Sequence, residues 1–462
     1  MRENFMRNAL WALVRLIGRG RIVFSVAVLA GLSSPTSQAI PLFARQTGME
    51  CVQCHAGGNF PELTTFGRRF KLTGYTLGTR ETIPLSAMLV AQNSRLANRN
   101  GSADPGADFA GDRATQLQAL SVFTGGKITD SVGAFVQWTY DGVAHHSAID
   151  NVDLRFAQST TVAGKAVVWG LTLNNNPSVS DLFNTVPAWA PPYFVPGGAF
   201  QGFGVQPLVI GGLSHVVAGL GAYVDWNDLL YFELAGYRNA HGVFSLLRTG
   251  NTNNDPASGG TGPHIISGTS PYWRLAVHRD DGPHAWMVGL HGLTARPYAD
   301  TYDASSSVTR VRDISLDAQY QYLGQENMLS VQATTTRERQ RYDAALVGPN
   351  AGFDNASNAL RWSQARVAYQ YHNRYGASLA AFASSGSADT QLYASNTNPV
   401  PDTRGTIVDL NYLPHPQVKL GLTYVAYSKF NGSSRNYDAS GTFTNRNARD
   451  NNTLSLYVWA TY

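Results

Sequence analysis

The last ten residues, Thr453-Leu454-Ser455-Leu456-Tyr457-Val458-Trp459-Ala460-Thr461-Tyr462, place Leu454, Leu456, Val458 and Ala460 on one face of an extended strand and finish on an aromatic ring. Strand side chains alternate between faces with a period of two, so the stretch carries one continuous apolar face. A closing amphipathic strand with a terminal aromatic residue is the ending of a β-barrel built to sit in a membrane.

The same alternation recurs upstream. Leu85, Ala87 and Leu89 alternate with Ser86, Met88 and Val90. Further strands are predicted over 116–123, 132–140, 149–159, 165–174, 215–226, 230–237, 272–279, 285–294, 311–322, 328–339, 360–372, 375–383, 405–413 and 418–429, which with 453–462 makes sixteen. Short turns (Asp281-Gly282-Pro283, Gly324-Gln325-Glu326, Asn373-Arg374, Pro414-His415-Pro416) alternate with long polar loops over 98–115, 242–271, 343–359, 384–404 and 431–452. An outer-membrane barrel has an even strand number, short turns on the periplasmic side and long loops outside; a soluble β-sandwich would not sort its loops this way. The longest connection, 175–214, holds Pro187, Trp189, Pro191, Pro192, Tyr193, Phe194 and Pro196, a stiff, half-apolar run expected either to fold into the lumen or to cover it as a rigid flap.

Composition agrees. The chain is 43% hydrophobic and 11% aromatic but only 14% charged, with 45 glycines. Alternating strands of this kind disappear from a hydropathy average, and past residue 39 no apolar run approaches the 18 residues of a membrane-spanning helix. Residues 1–39 read as an export signal: Arg15, Arg19 and Arg21 precede the apolar run 22–32, and Ser37-Gln38-Ala39 is a small-residue cleavage site. Five of the 35 Lys and Arg and one of the 31 Asp and Glu fall in that segment, leaving 30 of each sign. A chain without net charge or a basic run offers nucleic acid little to bind.

Just beyond the signal stands Cys51-Val52-Gln53-Cys54-His55, which contains the only two cysteines of the chain. A Cys-x-x-Cys-His run is the attachment signature of a c-type haem, the thiols adding to the porphyrin vinyl groups and the imidazole becoming the proximal iron ligand. Structural zinc would want four Cys/His ligands, and a thioredoxin-like pair would sit in a βαβ unit; a plain short-loop disulfide is the remaining alternative. The segment 40–83 is therefore read as a monohaem domain. A helix is expected to start near Asn59 or Phe60 with Pro61 and Glu62 in its first turn, to stack Leu63, Phe66 and Phe70 on one face, and to close at Gly74. Arg68, Arg69 and Lys71 lie off that stripe, with Arg68 a candidate contact for a haem propionate. Some 43 residues bury too little surface to stand alone, and no flexible tether precedes the first strand, so the domain is expected in the lumen or at its periplasmic side.

The run Phe43-Ala44-Arg45-Gln46-Thr47-Gly48, then Cys51 to His55, then Phe60-Pro61-Glu62-Leu63-Thr64-Thr65-Phe66-Gly67-Arg68-Arg69-Phe70-Lys71 and Gly74-Tyr75, resembles the N-terminal domain of fused monohaem cytochrome–porins. That family includes the outer-membrane iron oxidases of iron-oxidising bacteria. The motif likeness covers some thirty residues, while the layout of signal, haem motif and sixteen-strand barrel covers the chain. The resemblance implies one covalent haem c on Cys51 and Cys54 with His55 as proximal ligand. It implies a one-electron Fe(II) oxidase in the outer-membrane lipid, taking electrons from extracellular Fe(II) and delivering them to a periplasmic c-type cytochrome or other carrier.

The expected fold is thus all-β: a sixteen-stranded antiparallel outer-membrane barrel over 84–462, plugged by a small helical haem domain. Such a conduit needs no catalytic acid or base, because one-electron transfer asks only for proximity and a suitable potential. Strand parity points Met88 into the lumen beside the haem domain as candidate distal ligand, and points Met287, His291 and His278 inward on the eighth and ninth strands. Asp104, Asp108 and Asp112 in the first long loop are not assigned to iron. A porin-like channel with a structural haem, a conduit for another donor, and a sensor haem with an open sixth position are the alternative readings.

Overall fold

The computed structural model describes residues 42–58, 62–98, 113, 115–142, 145–184, 202–248, 265–301, 303–349, 351–439 and 445–462. The export segment 1–39, the residues Asn59, Phe60 and Pro61, the loop carboxylates Asp104, Asp108 and Asp112, and the run 187–196 lie outside the described residues.

Sixteen strands follow in order: β1 (Leu85–Leu96), β2 (Thr115–Lys127), β3 (Val132–Asp141), β4 (His146–Val162), β5 (Lys165–Asn174), β6 (Val217–Trp226), β7 (Leu230–Asn239) and β8 (Ser270–Asp281). They continue with β9 (His284–Ala295), β10 (Arg310–Leu323), β11 (Asn327–Arg341), β12 (Ser357–Tyr371), β13 (Tyr375–Gly386), β14 (Thr403–His415), β15 (Val418–Lys429) and β16 (Thr453–Thr461). Each pairs antiparallel with its sequence neighbours, and β1 pairs with β16 through Val90↔Trp459 and Met88↔Thr461, closing the barrel. Closure satisfies every ladder and leaves no edge, the condition for crossing a bilayer with strands. No helix among the described residues is long and apolar enough to cross a membrane.

The alternation sets the two faces as expected. On β16, Leu454 and Leu456 face outward while Thr453, Ser455 and Tyr457 are buried inside. Exposed outward apolar residues recur around the wall, from Leu120 and Leu171 through Leu234, Leu290 and Leu316 to Val367, Leu410 and Leu422. This belt is the lipid-facing surface of an outer-membrane barrel. Where boundaries differ from the sequence reading, local geometry is responsible. β1 runs on to Leu96 because a register shift between Val90 and Ala91 changes the phase of its alternation. β6 starts at Val217 because His215 adopts φ +61, and β12 stops at Tyr371 because His372 and Asn373 turn through φ +50 and +53.

The connections from even to odd strands, β2–β3 through β14–β15, are two to four residues long. At the opposite end the connections are fourteen or more residues, save the β3–β4 link of 142–145, which breaks the strict alternation in length.

The N-terminal segment forms three short helices, α1 (Leu42–Thr47), α2 (Cys51–Cys54) and α3 (Thr65–Leu72). The helix expected from residue 59 or 60 begins instead at Thr65, with Thr64 as N-cap accepting from the Gly67 N–H at 3.2 Å. Glu62 and Leu63 stay outside it, and Leu63 forms an isolated bridge with His55. The expected end is found: Gly74 (φ +72) donates to the Lys71 carbonyl and Tyr75 to that of Phe70, the paired bonds of a Schellman cap.

The segment bonds to backbone and inward-facing side-chain groups on strands all round the wall. The Gln46 side chain accepts from the Lys127 N–H of β2 (2.9 Å), and the Tyr75 hydroxyl donates to Asp153 of β4 (2.6 Å). Arg68 pairs with Asp280 of β8 (2.7 Å) and Glu62 with Arg366 of β12 (2.8 Å). Partners on β2, β4, β8 and β12 encircle it, so it is a luminal plug. The described start of the β5–β6 connection, residues 175–184, also folds inward: a one-turn helix, α4 (Pro177–Ser180), is followed by Asp181, Leu182 and Phe183, all buried.

Candidate functional site

The site begins with a turn. Within α2 the Gln53 side chain accepts from the Glu50 N–H (2.9 Å), and the His55 N–H donates to the Cys51 carbonyl (2.8 Å), so Cys51, Cys54 and His55 project from one coil. A helical turn is what brings residues i, i+3 and i+4 together. α3 packs directly on it: a Cβ at Gly67 would collide with the Cys54 carbonyl oxygen, so only glycine permits this approach. Beyond His55, Gly57 (φ +62) donates to the Met328 sulfur of β11 (3.1 Å), anchoring the far side of the motif.

A cavity of about 370 Å³ opens between this turn and the wall formed by β1, β2, β3 and β16. Cys51, Cys54, His55 and Met88 all line it. Its walls are mainly apolar, with Phe43, Leu63, Phe70, Tyr75, Phe135 and Trp459 among them. Phe43 stacks on Tyr75 with ring centroids 5.6 Å apart and meets Phe70 edge-on at 5.0 Å, an aromatic wall supplied by the plug itself.

Electrostatics follow from burial. It pushes the Cys54 thiol up to about 12, with the neighbouring Cys51 adding to the effect, and raises Cys51 as well. The same cause pulls His55 down to about 4 against a backbone hydrogen bond at Glu62, so the ring is a neutral imidazole with a lone pair to offer. The thiols are not joined in a disulfide. Among the described residues no group of three or more His, Cys, Asp and Glu side chains is placed to hold a metal ion.

The sequence candidates separate clearly. Met88 faces the lumen and lines the cavity with the three motif residues, as parity implied. Arg68 does not line it. Its guanidinium turns to the opposite side, where it holds Asp280 and donates to Gln321 (2.7 Å) and the Leu63 carbonyl. Lys71, one helical turn on, is the cation in the cavity wall. Its Nζ donates to the Asp181 carbonyl (2.6 Å) and Asn184 (3.1 Å), and burial lowers it to about 8. The sequence signal for Lys71 was its place three residues after Arg68, on the same helix but nearer the cavity.

Met287, His291 and His278 do point inward, but each is already engaged. Arg274 contacts the Met287 sulfur (3.8 Å) and the His291 ring (3.1 Å), while His278 meets Asp225 at 2.5 Å. None of the three lines the cavity.

Fold and site together define a plugged, porin-like outer-membrane β-barrel whose lumen holds an N-terminal helical segment with a Cys-x-x-Cys-His turn. No family model and no curated protein matches the chain. Among solved structures it is similar to the outer-membrane channel DcaP of Acinetobacter baumannii (11% identity, TM-score 0.47, covering 82% of this chain and 96% of that one). It is also similar to OmpT of Vibrio cholerae (9%, TM-score 0.43, 82% and 96%) and an anion-selective porin from Comamonas acidovorans (10%, TM-score 0.43, 82% and 98%). The barrel assignment rests on the closed strand order itself.

Proposed function

We propose that the chain is an outer-membrane electron-transfer protein that oxidises extracellular Fe(II) and passes electrons through one covalent c-type haem to a periplasmic cytochrome or other carrier. The observation that carries the reading is the cavity lined at once by Cys51, Cys54, His55 and Met88. Its donor set fits the group: two thiols and an imidazole on one turn, a thioether on the facing strand, and aromatic walls. Cys51 and Cys54 would hold the haem through thioether bonds and His55 would be its proximal ligand; bound there, it supplies reversible one-electron exchange at a potential set by its ligands and surroundings.

This chain's own residues do the rest. The aromatic wall excludes water, and Met88, on the facing strand, would offer its thioether to the iron. Lys71 offers the positive charge that an anionic edge of the occupant needs. The plug keeps the donor side of the membrane apart from the acceptor side, so ferric product stays outside. Ferrous iron loses a single electron and no proton has to be placed, so the site needs no general acid or base.

Rapid mixing of the purified holoprotein with Fe(II), followed at the reduced-haem absorbance band, tests the reading. Fast, stoichiometric reduction is expected. Protein that dithionite reduces but Fe(II) does not would overturn iron as donor, and solute conductance through the intact barrel would favour the channel reading. Met88→Ala is expected to change both the optical spectrum and the reduction potential; unchanged values would exclude Met88 as the distal ligand.

A further inference from the structure

The outer face of β10, β11 and β12 carries six arginines at its long-loop end: Arg310, Arg312, Arg337, Arg339, Arg341 and Arg361, all exposed. The register sets them against each other. Arg310 is opposite Arg341, Arg312 opposite Arg339 and Arg337 opposite Arg361. Directly opposed residues on one sheet face have Cβ atoms only about 5 Å apart, and like charges there are destabilising. Relief by acids is missing. The outward positions of β9 to β13 hold no Asp or Glu, the acids of β10 and β11 (Asp313, Asp317 and Glu338) being buried on the luminal face. Among the described residues none of the six side chains forms an ion pair or hydrogen bond.

Their height is also defined. Along β10 the outward residues read Arg310, Arg312, then Ile314, Leu316 and Ala318, then Tyr320 and Tyr322. Ten residues separate Arg312 from Tyr322, roughly 33 Å of strand, or about 25 Å along the membrane normal at a tilt of about 40°. That equals the usual apolar band of such barrels, with Tyr322 in the periplasmic aromatic girdle. Arg312 and its neighbours therefore sit at the outer interface, at the level of lipid headgroups.

We propose that this patch is a docking site for a phosphate-bearing glycolipid of the outer leaflet. Three opposed arginine pairs present planar, two-pronged donors at fixed spacing, the arrangement that grips phosphate groups while the acyl chains lie along Ile314 and Leu316 below. Charge complementarity selects this occupant. A neutral or zwitterionic lipid would leave the mutual repulsion in place.

The test uses the full-length holoprotein in phosphatidylcholine nanodiscs with diphosphoryl lipid A as probe, bound species being counted by native mass spectrometry. Wild type is expected to retain lipid A at least tenfold better than its fully dephosphorylated form, and millimolar inorganic phosphate is not expected to displace it. Arg312→Gln with Arg339→Gln is expected to lower retention at least tenfold. The same double variant is expected to melt higher than wild type in lipid-free detergent, since it removes an opposed like-charge pair. Equal retention of the two lipid A forms by wild type would overturn the proposal without recourse to any variant. So would displacement by inorganic phosphate, undiminished retention by the double variant, or arginine-dependent capture of a second copy of the chain in place of lipid.

Discussion

The plug meets its barrel in two different ways. Toward β8, β10 and β12 it is locked by buried polar contacts: Arg68 with Asp280 and Gln321, and Glu62 with Arg366 and Gln321. Toward β1, β2, β3 and β16 a mainly apolar cavity separates the Cys-x-x-Cys-His turn from the wall, with α1 reaching β2 through Gln46 and Lys127. Buried charges demand exact partners, so the locked face fixes the position of the plug. An apolar wall demands only volume, and on the other face that volume is left open. The cysteines and the histidine are on the face that was left open.

That contrast can be broken in graded steps. Replacing Cys51 and Cys54 together by alanine is expected to abolish covalent haem, seen as complete loss of haem from the denatured chain, while the barrel still forms. On the locked face, Arg366→Ala strands the buried Glu62 carboxylate, and removing one partner of such a pair costs about 3–5 kcal/mol. Hydrogen exchange should show the α3 amides losing that much protection while the β-ladders keep theirs. Gly67→Ala acts between the faces, forcing α3 off the Cys54 carbonyl at about 1–3 kcal/mol, readable as a lower melting temperature and a shifted haem spectrum. Smallest is Thr64→Ala, which removes the α3 N-cap at about 1 kcal/mol and should lower the melting temperature without moving the spectrum.

What the sequence disclosed follows the range of the forces involved. A period of two is a local property, so all sixteen strands, their closure and the inward aim of Met88 could be read directly. The haem motif is likewise five consecutive residues. The start of α3 was misplaced because Pro61-Glu62 carries the same opening signature as a true N-terminus. A cap at Thr64 and an ion pair from Glu62 to a residue 304 positions away compete for it, and only the latter's partner decides. Arg68 and Lys71 are equivalent by sequence. Which of them faces the cavity depends on Asp280, 212 residues further on, drawing Arg68 to the other side. The arginine patch was invisible for the same reason, since its pairs are made by strand register.

What occupies the cavity decides the function, and intact-mass measurement of the chain extracted from membranes answers that most directly. The prediction is a mass raised by one haem that survives denaturation and vanishes in the double cysteine variant. A wild-type chain of unmodified mass, exported and folded as a barrel, would contradict it.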